Sequence, residues 1–200
     1  RLAIAEVNNF NSYIDEDILT ESSIAIIEKI KNAIEKIIQK LKKLITETIP
    51  NVIKKIEIKL VDHDTPIMLP ELTVYRADGK VEHFKDAFDS IDYFKNILDR
   101  FTEAIELVNN PIDRYEFNYD KKSVHKKKDL DLKLNNLLHF LKVNVKQMEK
   151  CIEELDKGNE NIPEDREHYQ SIIYAETKLI SMYTTLISLC IPDSNEAEDK

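Results

Sequence analysis

Asp62-His63-Asp64 is the tightest cluster of metal-capable side chains in the chain. Neighbouring loop positions of this kind can offer carboxylate oxygens and an imidazole to a cation. A metal site needs a defined ligand set. The other histidines, His83, His125, His139 and His168, are scattered, so no metal site is expected. Ser123 and His125 are near neighbours inside a lysine run. A serine nucleophile needs a base that a third group orients, and such sets are recognised by geometry rather than by closeness in sequence. No motif supplies that third group. Glu153, Glu154 and other carboxylates occupy helical positions that read as a solvated face rather than as an acid–base pair. With only two glycines in the chain, a glycine-rich phosphate loop is excluded. These readings predict a protein that is not an enzyme and uses no cofactor.

The run Lys121 to Lys128, KKSVHKKK, has the charge to grip phosphate. Tyr115, Phe117 and Tyr119 precede it but do not interleave with it, as base stacking would require. Asp120, Asp129 and Asp131 flank it, and the run reads as a solvated linker. The whole chain has a formal charge of −9, which disfavours binding to a phosphate backbone. That charge is unevenly spread. Residues 24–60 hold nine Lys and four acids, a local charge of +5, which leaves −14 on the rest. No specific nucleic-acid partner is expected.

The elements that must position these residues are helices. The 200 residues suffice for one cored domain, and 34% charged residues with six prolines and no Trp suit long helices bathed in solvent. The strongest stretch is IAIIEKIKNAIEKIIQKLKKLI, residues 24–45. Its seam is Ile27, Ile30, Ile34, Ile37, Leu41 and Leu44, in alternating steps of three and four. Ile26, Ala33, Ile38 and Ile45 widen it. Ser22 and Ser23 can cap this helix, and Pro50 ends or kinks it. The apolar face demands cover from the core, from a partner protein or from a membrane surface. The absence of aromatic anchors in the stretch favours a protein environment over a membrane surface.

Residues 51–61 are open between a helical turn and a strand, since Ile56, Ile58 and Leu60 alternate. Residues 62–70 read as a loop. An Asp78-Gly79 turn between Leu72–Arg76 and Val81–Phe84 predicts a β-hairpin over 72–84. It can pack on the helices or pair with 56–61 as a third strand. Further helices are predicted over 86–109, through Phe88, Phe94 and Phe101, and over 130–157 up to a Gly158 cap. Residues 111–129 read as a polar connection. A last helix follows over 163–191, with Pro163 in its first turn. Cys151 and Cys190 lie in apolar helical pattern and read as buried thiols, which suits a reducing compartment or indifference to redox.

The fold class expected is mainly α: a bundle of about four long helices, over 22–49, 86–109, 130–157 and 163–191, with a small β-hairpin. The domain reading is an N-terminal arm 1–21, a bundle 22–192 with the hairpin inserted at 72–84, and an acidic tail 193–200. The arm carries Ile4, Val7, Phe10, Ile14 and Ile18 at loosely helical spacing, and these are expected to contact another subunit or another protein.

The first third also resembles the N-terminal region of internal head proteins of large tailed bacteriophages. The residues that carry this are Leu19-Thr20-Glu21-Ser22 followed by the isoleucine–lysine helix ending in LKKLI, with Ile4-Ala5-Glu6 as a second tripeptide. The resemblance implies a prohead-protease substrate packaged in or on the capsid. A chain beginning at Arg1 rather than Met fits such trimming, or a part of a longer chain. Both tripeptides persist, so a protease of that kind has spared them. The expected function is a non-enzymatic structural or assembly protein of the virion, present in host cytoplasm during assembly. Its partners are other virion proteins and copies of itself. The alternative is a soluble protein acting on anionic membrane surfaces through the basic helix 22–49.

Overall fold

The computed structural model describes residues 23–59, 66–103, 112–157 and 162–191. The arm with Ile4, Val7, Phe10, Ile14 and Ile18, the Asp62-His63-Asp64 cluster, the end of the 86–109 helix, Gly158 and the acidic tail lie outside the described residues.

The long helix runs further than its sequence stop signals imply. Helix α1 spans Ser23–Lys43, a π turn spans Leu44–Thr48, and helix α2 continues over Ile49–Lys59 without a break. Together these residues reach about 55 Å at 1.5 Å per residue. Pro50 was expected to end or kink this run. An α-helix at Pro50 would lose one hydrogen bond and crowd the carbonyl four residues back. Here the ladder is already displaced, because the Ile49 N–H bonds to the Leu44 carbonyl, five residues back. The wide turn accommodates the missing donor, and the chain stays helical. Upstream of the proline, Thr46 Oγ1 donates back to the Lys42 carbonyl at 2.9 Å, a contact that tends to bend helices. The strand alternative for 51–61 is therefore corrected: the residues described there are helical, with Val52 and Ile56 buried and Ile58 exposed.

A three-stranded antiparallel sheet replaces the isolated hairpin. Strand β1 is Ile67–Tyr75, β2 is Val81–Phe84 and β3 is Arg114–His125, in the order β2-β1-β3. The Asp78-Gly79 turn forms as predicted, with Gly79 at φ 83°, a left-handed conformation that favours glycine. The Lys80 N–H donates to Asp78 Oδ1 at 3.1 Å and closes the turn. Two readings are corrected by β1 and β3. Residues 67–70 belong to β1 rather than to a loop, and most of the supposed polar connection 111–129 is strand β3, whose end takes in much of the lysine run. The third strand is thus β3, and residues 56–59 are helical. Alternation decides its faces: Tyr115 and Phe117 lie opposite Val74 and Leu72, and Ser123 and His125 opposite Leu69 and Ile67, all toward the core. The register slips between Pro70 and Glu71, where residues 119–121 of β3 form a bulge.

The third helix starts with a single 3-10 turn, Ala87–Ser90, before α3 proper, Ile91–Glu103. Helices α4, Lys127–Asp156, and α5, Ile162–Leu189, complete the chain. The molecule is mostly helical, with a small three-stranded antiparallel sheet. Helix α1 packs against both α4 and α5, while α3 touches both more sparingly. One continuous core takes residues from every helix and from β1, including Ile34, Leu41, Leu72, Phe94, Leu141 and Leu186. In α1, Ile30, Ile34, Ile37, Leu41 and Leu44 are buried and Ile27 is half-buried, so its apolar face is covered from within the chain. Full burial of each such side chain is worth about 1.5–3 kcal/mol.

Candidate functional site

The strand that the sequence hid carries the chemistry that the sequence could not assemble. Ser123 and His125 stand two residues apart on β3, so they share one face. That face meets the start of the 3-10 turn, where Asp86 is the N-cap in extended conformation. Asp86 Oδ1 accepts from the Phe88 N–H at 2.9 Å, as a capping carboxylate does. Its other oxygen, Oδ2, accepts from Ser123 Oγ at 2.7 Å and from His125 Nε2 at 2.7 Å. Ser123 Oγ and His125 Nε2 are themselves 2.8 Å apart. Asp86 is 1% exposed and His125 is 8% exposed.

Burial by itself would raise the Asp86 carboxyl. The hydrogen bonds from His125 and Ser123 outweigh it, and the carboxyl is held below the usual carboxylate range. Lys133, which also pairs with Asp89 at 3.4 Å, adds a further positive influence. Asp86 is therefore an ionised, well-partnered buried carboxylate.

A Ser-His-Asp set is tempting, but the geometry is wrong for acyl transfer. Proton relay needs the hydroxyl on one ring nitrogen and the carboxylate on the other. Here serine and aspartate both address Nε2, and they also bond to each other. The nitrogen that would accept the serine proton is already donating to Asp86, and the hydroxyl proton points to the same carboxylate. The triangle is a knot that ties β3 to the start of α3. Sequence reasoning paired Ser123 with His125 and missed Asp86. The period-two pattern Tyr115, Phe117, Tyr119 was the available sign of a strand, and Asp86 ahead of Ala-Phe-Asp-Ser was the available sign of a cap.

A second knot lies close by in the fold. Ser90 Oγ donates to the Ala87 carbonyl at 2.6 Å, and the Tyr183 hydroxyl of α5 meets Ser90 Oγ at 3.1 Å. Tyr183 is fully buried, and its hydroxyl is pushed up above its ordinary pKa by that burial. The two cysteines are buried, and burial pushes each thiol up to about 12. Neither is a thiolate nucleophile at neutral pH.

The aromatic row of β3 is largely committed to packing. Phe117 stacks edge-on with Tyr115 at 5.8 Å, both half-buried against the core, and Tyr115 hydroxyl reaches Ser181 of α5 at 2.8 Å. Tyr119, in the bulge, is exposed. The outward side of β3 differs. Val124 is 61% exposed opposite Met68, itself 52% exposed. Lys121, Lys122, Lys126 and Lys128 are exposed along the same stretch and into α4. Among the described residues, β3 pairs only with β1, which leaves its other backbone edge without a strand partner.

Among the described residues, no group of three His, Cys, Asp or Glu side chains could hold a metal ion, and no helix is long and apolar enough to cross a membrane. Comparison with protein families, with curated proteins and with solved structures gives no match to this chain.

Proposed function

We propose that this chain is a non-enzymatic structural or assembly protein of a bacteriophage head that acts through protein contacts. The observation that carries the reading is where the apolar surface goes. The face of α1 is largely consumed inside the chain, and the Ser123–His125–Asp86 constellation serves as a structural knot. The outward apolar side chains include Ile24, Ile58 and Leu132 on helices and, on the sheet, Val124 of β3 opposite Met68 of β1, which lie beside the exposed lysines of β3. The edge of β3 without a strand partner invites an added strand. The occupant we assign is the arm 1–21 of another copy. It holds one Arg and five acids, and its apolar residues Ile4, Val7, Phe10, Ile14 and Ile18 would meet the exposed side chains of the sheet. Its negative charge complements Lys121, Lys122, Lys126 and Lys128. The virion assignment draws on the resemblance around Leu19-Thr20-Glu21-Ser22 and the isoleucine–lysine helix. The membrane-surface alternative needs the apolar face of α1 on the outside, and nothing favours it.

Sedimentation equilibrium tests the assignment. The full chain should self-associate, and both deletion of residues 1–21 and Lys121→Glu with Lys122→Glu should weaken association with unchanged circular dichroism. A strictly monomeric full chain, or a truncated chain that unfolds, would overturn it. Capsid or prohead-protease genes beside this one would support the virion assignment, and their absence would count against it.

A further inference from the structure

Helices α4 and α5 bury one polar pair in their interface. Asn144 is 1% exposed and Glu176 is 0% exposed. Asn144 Nδ2 donates to Glu176 Oε2 at 3.5 Å, a long hydrogen bond. The other two oxygens of the pair, Asn144 Oδ1 and Glu176 Oε1, are buried and have no partner. Two unpartnered oxygens on facing groups are costly, because each has lost its water. A single proton removes both defects. On Glu176 Oε1 it turns an acceptor into a donor, and the carbonyl oxygen of Asn144, unpartnered on the residue that already bonds Glu176, is a complement to it.

We propose that Glu176 is protonated in the folded protein at neutral pH and donates that proton to Asn144 Oδ1. The acid and the amide then form a neutral ring of two hydrogen bonds, a proton-dependent latch between α4 and α5. The surroundings offer no other way to support a charge. The α1 face packed on α4 and α5 is Ile30, Ala33, Ile34, Ile37, Ile38 and Leu41, all apolar. The buried residues of α2 are Ile49, Val52 and Ile56, and those of α3 are Phe94, Ile97 and Leu98. The titratable groups that feel Glu176 are Cys151 on α4 and Tyr183 on α5, both neutral at physiological pH. Among the described residues, His125 is the one buried side chain able to become a cation, and it is engaged with Asp86. Burial accordingly pushes the Glu176 carboxyl up to about 8, and the Asn144 contact pulls it back only in part.

The linkage has a definite sign. The folded value, about 8, lies above the ordinary glutamate value of 4.5. Between the two the unfolded chain releases a proton that the folded chain keeps. The stability that this group contributes is therefore complete below the unfolded value and is lost as pH rises through the folded one. The loss approaches tenfold in the folding equilibrium constant per pH unit.

Urea unfolding of the full chain between pH 5 and pH 9, beside Glu176→Gln, tests the latch. Glutamine keeps the pairing and cannot ionise. The parent should lose about tenfold per pH unit relative to the variant across the window between the two values. Equal pH dependence in both proteins would overturn the proposal. Infrared spectroscopy of the parent gives an independent reading should the variant fail to fold. A protonated-carboxyl band should be present at pH 6 and vanish above the folded value. Its absence at pH 6 would also overturn the proposal.

Discussion

Asp86 and Glu176 are both buried carboxyl groups in one core, and they settle their charge in opposite ways. Asp86 sits where a strand meets a helical turn, and three donors converge on it: the Phe88 N–H, Ser123 and His125. Glu176 sits in the middle of a helix, where the backbone donors are already used, and one amide at 3.5 Å is its hydrogen-bond partner. The first is held ionised and the second is pushed toward neutrality. Burial opposes charge at both places; the number of available donors decides the outcome. The boundary between secondary structures is rich in loose N–H groups, and the helix–helix interface is poor in them. The two groups should therefore respond to pH in opposite directions. The Asp86 contribution is present above the unfolded carboxyl value and is lost as pH falls through the lower folded value. The Glu176 contribution is lost at the alkaline end.

The largest expected effect comes from breaking the well-supplied site. Asp86→Ala strands His125, Ser123 and the Phe88 N–H at once and removes the cap of the 3-10 turn. Removing one member of a buried charged network costs about 3–5 kcal/mol. Urea denaturation at pH 7 should show this loss. The variant should also lose part of the acid limb of the stability profile. A loss below about 1 kcal/mol would mean that the donors find water and that the knot is not a structural tie.

Much of this contrast was hidden from sequence, for physical reasons. The helical stretches of α1, α4 and α5 were legible because a 3.6-residue period over many turns is hard to mimic: Leu134, Leu141, Val145, Met148 and Leu155 are all buried. The end of α1 was not legible, since Pro50 signals a stop and the π turn that admits it leaves no mark in composition. Ile56 and Ile58 alternate like a strand only because one of them is an exposed isoleucine. Strand β3 resembles a linker in sequence because its outward positions are charged and its inward positions include Ser123 and His125 rather than aliphatics. Of the candidate site, Ser123 and His125 were visible as neighbours, but Asp86 arrives from a distant part of the chain and only the sheet register brings it in. Glu176 was invisible in principle, since one glutamate in a helix looks like any solvated acid until its neighbours are known.

The poorly supplied site should respond in the opposite sense. The double variant Asn144→Leu with Glu176→Leu removes the buried acid–amide pair and substitutes apolar groups of similar size. Replacing a buried polar pair in this way is often neutral or stabilising by about 1–4 kcal/mol. The gain should lie toward the low end at pH 6, where the acid is neutral, and should grow as pH rises through the folded value of about 8. Thermal unfolding across that range reads it directly. A double variant destabilised equally at every pH would mean that the pair fixes the register of α4 against α5 by shape, and that its proton is incidental.

The smallest effect sharpens the reading of the knot itself. Ser123→Ala deletes one of the donors to Asp86 and leaves His125 and the Phe88 N–H in place. Aspartate then remains ionised with two donors, and the cost should be about 1.5–3 kcal/mol, as for a hydrogen bond to a charged group. Ser123→Cys should cost a comparable amount, because a thiol is a weak donor. A catalytic serine would behave differently: it would barely matter to stability, and cysteine in its place would be a better nucleophile, open to alkylation at neutral pH. In this arrangement the introduced thiol would instead face the Asp86 carboxylate, whose negative charge disfavours the thiolate. Slow alkylation of the cysteine variant together with a measurable stability loss for alanine is the expected pair of results. Fast alkylation with no stability loss would show that the hydroxyl at position 123 is poised for chemistry, and the Asp86 site would then have to be read as reactive rather than structural.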